Sequence, residues 1–110
     1  MRALRKSKVL AKRTLSKVNA AAALGEISKR VGREHPEWSE ARLSTAVCEY
    51  KKYIALCIIC PNVGLGMCSA DVDEIWHAHI LYTMNYAKFC KAVAGRFLHH
   101  TPTSEEEKAA

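Results

Sequence analysis

Asp73 and His77 stand four residues apart in the stretch DVDEIWHAHILYTMNYAKFC (71–90), and a second pair of imidazoles, His99-His100, follows after Gly95. On a helix, a four-residue spacing brings a carboxylate and an imidazole side by side. The aspartate can then accept a hydrogen bond from one ring nitrogen and orient the other, or both residues can act as ligands on one face. If a turn at Gly95 folds the histidine pair back alongside the helix, Asp73, His77, His99 and His100 supply nitrogen and oxygen donors. Such a set suits one divalent ion, zinc above all, with water completing the shell. The same residues also admit a plainer arrangement, a hydrogen-bonded Asp/His cluster that ties the C-terminal return to the helix and keeps its polar groups partnered.

Other candidate chemistry in the chain is weaker. His-x-His is not the His-Glu-x-x-His of a zinc protease helix, so that mechanism does not transfer. On a regular helix His79 points ~160° away from His77. It falls within an aromatic stripe and is expected as a core histidine bonded to Thr83, Tyr86 or backbone. Cys57-x-x-Cys60 with Cys68 has half of a zinc-site spacing. It lies in an apolar segment with no second such pair, so core packing is expected instead. Gly64-Leu65-Gly66 is too short for a phosphate loop and no GKS or GKT follows. Cys90 as a nucleophile is disfavoured because its apolar neighbours imply burial, which raises a thiol pKa.

These residues need helices to position them. From Val72 to Val93 no proline or glycine intervenes, and Ser69 or Asp71 can cap the start. Asp71, Asp73 and Glu74 suit the positive end of a helix dipole. Val72, Ile75, Trp76, His79, Tyr82, Thr83, Tyr86, Phe89, Cys90 and Val93 share one face, while Ile80, Leu81 and Met84 lie opposite. A rod apolar on both sides is expected to be buried as the central helix. Before it, residues 37–60 read as a helix with Leu43, Ala46, Val47, Tyr50, Ile54, Cys57 and Ile58 inward, ended by Pro61. Residues 2–31 read as one long basic helix. No stretch alternates with period two. The fold expected is all-α: a small three-helix domain with a long basic N-terminal helix and a short return loop bearing the histidines. Its parts are a basic arm (1–33), a helical core (34–102) and an acidic, disordered tail (103–110).

The net charge of +6 is unevenly placed. Residues 1–33 carry ten Lys or Arg and one acid, Glu26, whereas the remainder carries seven basic and ten acidic residues. Arg2, Arg5, Lys6, Lys8, Lys12, Arg13 and Lys17 thus form a handle for something anionic, either nucleic acid or an acidic protein or assembly. The acid-free start resembles a mitochondrial transit peptide, though a retained arm is the expectation. Five cysteines in apolar surroundings suit reduced thiols in a cytoplasm-like compartment; a mitochondrial matrix or a virion is the alternative. No run of apolar residues is long enough for a membrane span.

From Glu49 onward the chain resembles a family of small bacterial and phage proteins, the glycine-rich domain-containing protein-like family. The likeness rests on EYKKYIAL (49–56), Pro61, VDEIWHAHILYTMNYAKFC (72–90) and AGRFLHHTP (94–102). It covers about half the chain and does not reach the basic arm. The resemblance marks Asp73, Trp76, His77, His79, Thr83, Tyr86, Cys90, His99 and His100 as family-like positions and implies no particular activity. At Val93-Ala94-Gly95 the aromatic residue expected before the glycine is missing.

The function expected is therefore a small helical binding or structural module. Its basic arm docks on an anionic partner, its Asp/His cluster anchors the core, and Trp76, His79, Thr83, Tyr86 and Cys90 form a structural cluster. The alternative is a metal-dependent enzyme or metal-stabilised domain using Asp73, His77 and His99/His100. His77→Ala is expected to cost more stability than His35→Ala, since His35 precedes Pro36 in a surface turn.

Overall fold

The computed structural model describes residues 2–60 and 69–100, with side chains from residue 9. The Gly64/Gly66 loop with Cys68, Pro102 and the acidic tail lie outside the described residues. The domain is all-α: α1 Arg2–Ala21, α2 Gly25–Glu34, α3 Glu40–Ile59, α4 Ala70–Leu81 and α5 Thr83–Ala94. Among the described residues there is no strand, and no helix is long and apolar enough to cross a membrane.

Two of the expected long helices are each broken in two. The N-terminal helix stops at Ala21, and α2 begins at Gly25. The run of alanines favours continuation, but the Ala23 carbonyl is taken by the Asn85 side chain at 2.8 Å. The break lets α1 pack on α3 and α5 while α2 packs on α4 and α3. Val18 from α1, Leu24 between the helices, and Ile27 and Val31 from α2 all enter the same core as Tyr50, Ile54, Ile75, Tyr86 and Phe89. The segment from Thr14 to Val31 therefore contributes to the same core as α3 to α5, while Lys12, Arg13 and Lys17 stay exposed.

The central helix breaks at Tyr82, whose backbone (φ −86°, ψ 71°) leaves the helical region. Its N–H bonds back to the His79 carbonyl at 3.1 Å. As a straight rod, residues 70–94 would carry their apolar stripe past any core this small. Bent at Tyr82, the stripe folds on itself, so that Val72, Ile75, Trp76 and His79 on α4 face the same interior as Tyr86, Phe89, Cys90 and Val93 on α5. The opposite side is not buried as expected: Leu81 and Met84 are 61% and 75% exposed.

The helix starts follow capping chemistry. Ser69 Oγ accepts from Val72 N at 3.0 Å to open α4, and Ser39 Oγ accepts from Arg42 N at 3.1 Å to open α3. Alpha5 ends at Gly95 with φ +70°, a left-handed conformation that a glycine adopts without the cost a Cβ would bring. That turn sends the chain back along α4, so that Leu98 is buried and His100 lies beside Asp73.

Candidate functional site

The first turn of α4 carries two carboxylates, Asp71 and Asp73, and Glu74 follows at once in the second; each is engaged by a different part of the chain. Asp71 takes a two-pronged bond from Arg42 of α3, Nε to Oδ2 at 2.9 Å and Nη2 to Oδ1 at 3.0 Å. That guanidinium holds the Asp71 carboxyl below its usual range and also lies over the Trp38 ring, 4.6 Å from its centre. Glu74 is bonded by His35 Nε2 at 3.1 Å. Asp73 receives His100 Nε2 on Oδ1 at 2.8 Å, and His77 Nε2 stands 3.5 Å from the same oxygen. Three distant segments thus converge on one helix start, where the helix dipole already favours negative charge.

Of the four residues expected as ligands, the structure brings Asp73, His77 and His100 together, with one donor atom from each lying within 4.8 Å of the others. His99 is not among them. It points outward and meets Phe97 edge-on at 4.9 Å. Neighbouring residues in the non-helical return place their side chains on opposite sides, so His99 and His100 cannot both face α4. His100 is well held. Its ring stacks on Trp76 at 4.3 Å and 15° and lies 4.8 Å from the His77 ring. Its side chain is only 9% exposed, against 50% for His77. A carboxylate oxygen can only accept, so His100 presents Nε2–H to Asp73.

Beneath this surface lie two buried hydrogen-bond chains built from the expected structural cluster. In the first, Trp76 Nε1–H donates to the Tyr86 hydroxyl at 2.9 Å, and Tyr86 O–H donates to the Leu98 carbonyl. Leu98 N–H in turn meets Cys90 Sγ at 3.4 Å. This chain locks the C-terminal return two residues before His100. Burial pushes the Tyr86 hydroxyl well above the usual tyrosine range, so it stays protonated and able to donate. Ten residues of straight helix span ~15 Å, so the Trp76–Tyr86 bond depends on the break at Tyr82.

The second chain runs through His79. Asn85 Nδ2 donates to the Ala23 carbonyl, which leaves Asn85 Oδ1 to accept from His79 Nε2–H at 3.0 Å. His79 Nδ1 then accepts from the Tyr50 hydroxyl at 2.7 Å. Every bond has one direction, which fixes His79 as the neutral Nε2–H tautomer. Burial lowers its pKa, outweighing the Asn85 bond. Among the described residues no buried side-chain nitrogen or oxygen lacks a partner. Thr83, one of the residues expected to bond His79, is exposed in the first turn of α5 instead. Tyr50 and Asn85 do that work. Tyr50 stood in the EYKKYIAL motif and Asn85 was the lone amide in an aromatic run, yet only the break at Tyr82 makes their reach visible.

His35 also departs from expectation. It stacks on Trp38 at 4.8 Å and bridges Glu37 and Glu74, tying the α2–α3 turn to α4. Among the described residues, His77 makes only the long contact to Asp73 and the tilted approach to His100. The expected order of losses is thereby reversed: in thermal melts at pH 6, His35→Ala lowers the midpoint more than His77→Ala does. The carboxylates of Glu74 and then Glu37 raise the His35 pKa above 6.5. Its contribution is therefore full below pH 6.5 and fades as pH rises through the raised value. The gap between wild type and His35→Ala narrows accordingly from pH 6 to pH 8.

A family model, UCP032817-like, matches residues 13–109. The chain belongs to this family. The UCP032817-like match opens at Arg13, one residue before the buried Thr14, and so takes in the part of α1 that packs on the core together with α2 to α5. It reaches further than the motif run from Glu49 and shows that α1 and α2 are part of what defines the UCP032817-like chain. No curated protein and no solved structure matches significantly.

Proposed function

We propose that the protein is a small helical binding module whose α1 docks on the phosphate backbone of a nucleic acid. The observation that carries this reading is the placement of charge on α1. Lys12, Arg13 and Lys17 are exposed, whereas Thr14 and Val18 of the same helix are buried. The same helix carries Arg2, Arg5, Lys6 and Lys8, and no acid lies between Met1 and Gly25. Packing against α3 and α5 holds the later turns of α1 as a fixed rod and presents its cationic side outward. No aromatic residue lies in the first 34 positions, so base stacking on this surface is absent and phosphate contact is the chemistry offered. The Tyr50–His79–Asn85 chain, which ends on the Ala23 carbonyl just after α1, supplies the rigid support. The motif likeness to small bacterial and phage glycine-rich domain-containing-like proteins is compatible with such a module in a reducing compartment or a virion.

Binding of this kind is sequence-independent and salt-dependent. In fluorescence anisotropy with a labelled DNA duplex, replacing Lys12, Arg13 and Lys17 together by Gln should lower the slope of log K against log salt by up to about 3. Affinity at low salt should fall at least tenfold. Val9 and Leu10, each about half exposed on α1, also offer a protein assembly an apolar contact. Duplex binding that is absent, or indifferent to salt and to the triple substitution, would reject the nucleic-acid reading in favour of such a partner.

A further inference from the structure

We propose that Asp73, His77 and His100 form a binding site for one divalent first-row transition cation of the zinc class, separate from the α1 surface. The geometry that points there is the convergence of two imidazoles on one carboxylate oxygen through the same ring atom. His100 Nε2 lies 2.8 Å and His77 Nε2 3.5 Å from Asp73 Oδ1. The neighbouring carboxylates do not share this arrangement: Asp71 is saturated by one guanidinium, and Glu74 meets one imidazole. In a tetrahedral site with ligand bonds of about 2.0–2.1 Å, donor atoms stand ~3.3 Å apart. The Asp73–His77 separation is close to that, and the Asp73–His100 hydrogen bond needs to open by roughly half an ångström. A cation entering between them takes the place of the His100 Nε2 proton. It neutralises the carboxylate and draws in the half-exposed His77 ring, the only member free to swing.

The support around the site fits a ligand set better than a chance surface group. His100 is fixed by its stack on Trp76, and Leu98 before it is pinned at both backbone atoms by Tyr86 and Cys90. Asp73 sits on the capped first turn of α4, where the backbone is fixed. Three protein donors, two nitrogens and one oxygen, leave a position open to solvent through the exposed His77 edge. Two imidazoles and one carboxylate select zinc, cobalt, nickel or copper over magnesium or calcium, which prefer all-oxygen shells. Water held in the open position would be available to a substrate.

The test uses the full chain, stripped with a chelator and titrated with zinc alone by calorimetry and by elemental analysis after desalting. One zinc per chain is expected. Zinc at a hundredfold excess over its Kd should also raise the thermal midpoint by roughly 10 °C. His77→Ala removes a ligand that is exposed and outside the core, so the metal-free fold should persist by circular dichroism. Its zinc affinity should fall at least tenfold and the thermal shift should vanish. His99→Ala, and Cys57→Ser with Cys60→Ser, should bind as wild type does. The proposal is overturned if the chain takes up no stoichiometric zinc. It is equally overturned if His77→Ala binds as tightly as wild type, or if binding follows the cysteines. In those cases Asp73 and His100 form a hydrogen-bonded latch and nothing more. Either outcome leaves the α1 reading untouched, because the duplex assay is run with chelator present.

Discussion

Tyr86→Phe should lower stability by ~2–4 kcal/mol, although it deletes a single oxygen atom. The loss is large because that oxygen serves two buried partners. Trp76 Nε1–H donates to it, and it donates to the Leu98 carbonyl. Removing it strands an indole N–H and a backbone C=O where water does not reach, and each stranded group costs about 1–3 kcal/mol. Against a total stability of ~5–15 kcal/mol for an ordinary domain, this is a heavy loss, and the midpoint should fall by about 10–20 °C. The substitution also has a remote effect. The Tyr86–Leu98 bond fixes the return after Gly95, so without it His100 should leave Asp73 and its stack on Trp76. In an NMR spectrum the His100 ring signals should shift toward solvent-exposed values while those of His79 hold. A stability change under 0.5 kcal/mol would mean that Tyr86 does not bridge α4, α5 and the C-terminal return.

The way these bonds form explains which parts of the structure the sequence discloses. Helical class, the cap at Ser69 and the glycine turn at Gly95 are local chemistry and could be read from neighbouring residues, whereas α3 begins at Glu40 behind the Ser39 cap and not at residue 37 as expected. The pairing of Asp73 with one of the two C-terminal histidines was also legible, since Gly95 allows only a short return. Which histidine enters was not, because it depends on the rotation of a non-helical segment that only Leu98 packing decides. The two helix breaks were hidden for a related reason. Neither Ala22–Leu24 nor Tyr82 carries a strong breaking residue, and each break is stabilised by partners far away: Asn85 for Ala23, and the mutual reach of Trp76, His79 and Tyr86 for Tyr82. The same blindness made His35 look like a bystander. Its partner Glu74 is thirty-nine residues away, and no local pattern announces such a pair.

His79→Ala is expected to be the most damaging single substitution, at about 3–5 kcal/mol. His79 is fully buried among Tyr50, Tyr86 and Phe89, whose rings lie at 4.9–5.7 Å. Truncation leaves a cavity there and strands two polar groups, the Tyr50 hydroxyl and the Asn85 carbonyl. The loss of order in Asn85 should reach Ala23 and loosen the α1–α2 turn, since the chain Tyr50–His79–Asn85–Ala23 crosses four elements. Native-state hydrogen exchange should therefore rise in α2 as well as around residue 79. The pH dependence gives a second readout. Burial depresses the His79 pKa below 6.5 in the folded chain, so as pH falls below 6.5 the unfolded chain takes up a proton that the folded chain refuses. Stability contributed by neutral His79 is full above pH 6.5 and is lost on acidification toward the depressed value. This slope is opposite in sign to that of His35, so the two variants separate them. His35→Ala should leave the acid-side loss between pH 6.5 and 5 unchanged, because the His35 contribution is already full there, and should remove only the decline above pH 6.5. Tyr50→Phe deletes the donor to Nδ1 and should cost about 1–2 kcal/mol while keeping the acid-side slope. If the His35→Ala protein is equally stable at pH 5 and pH 7, then His79 binds its proton as readily folded as unfolded. The directional chain drawn through its neutral ring would then be wrong.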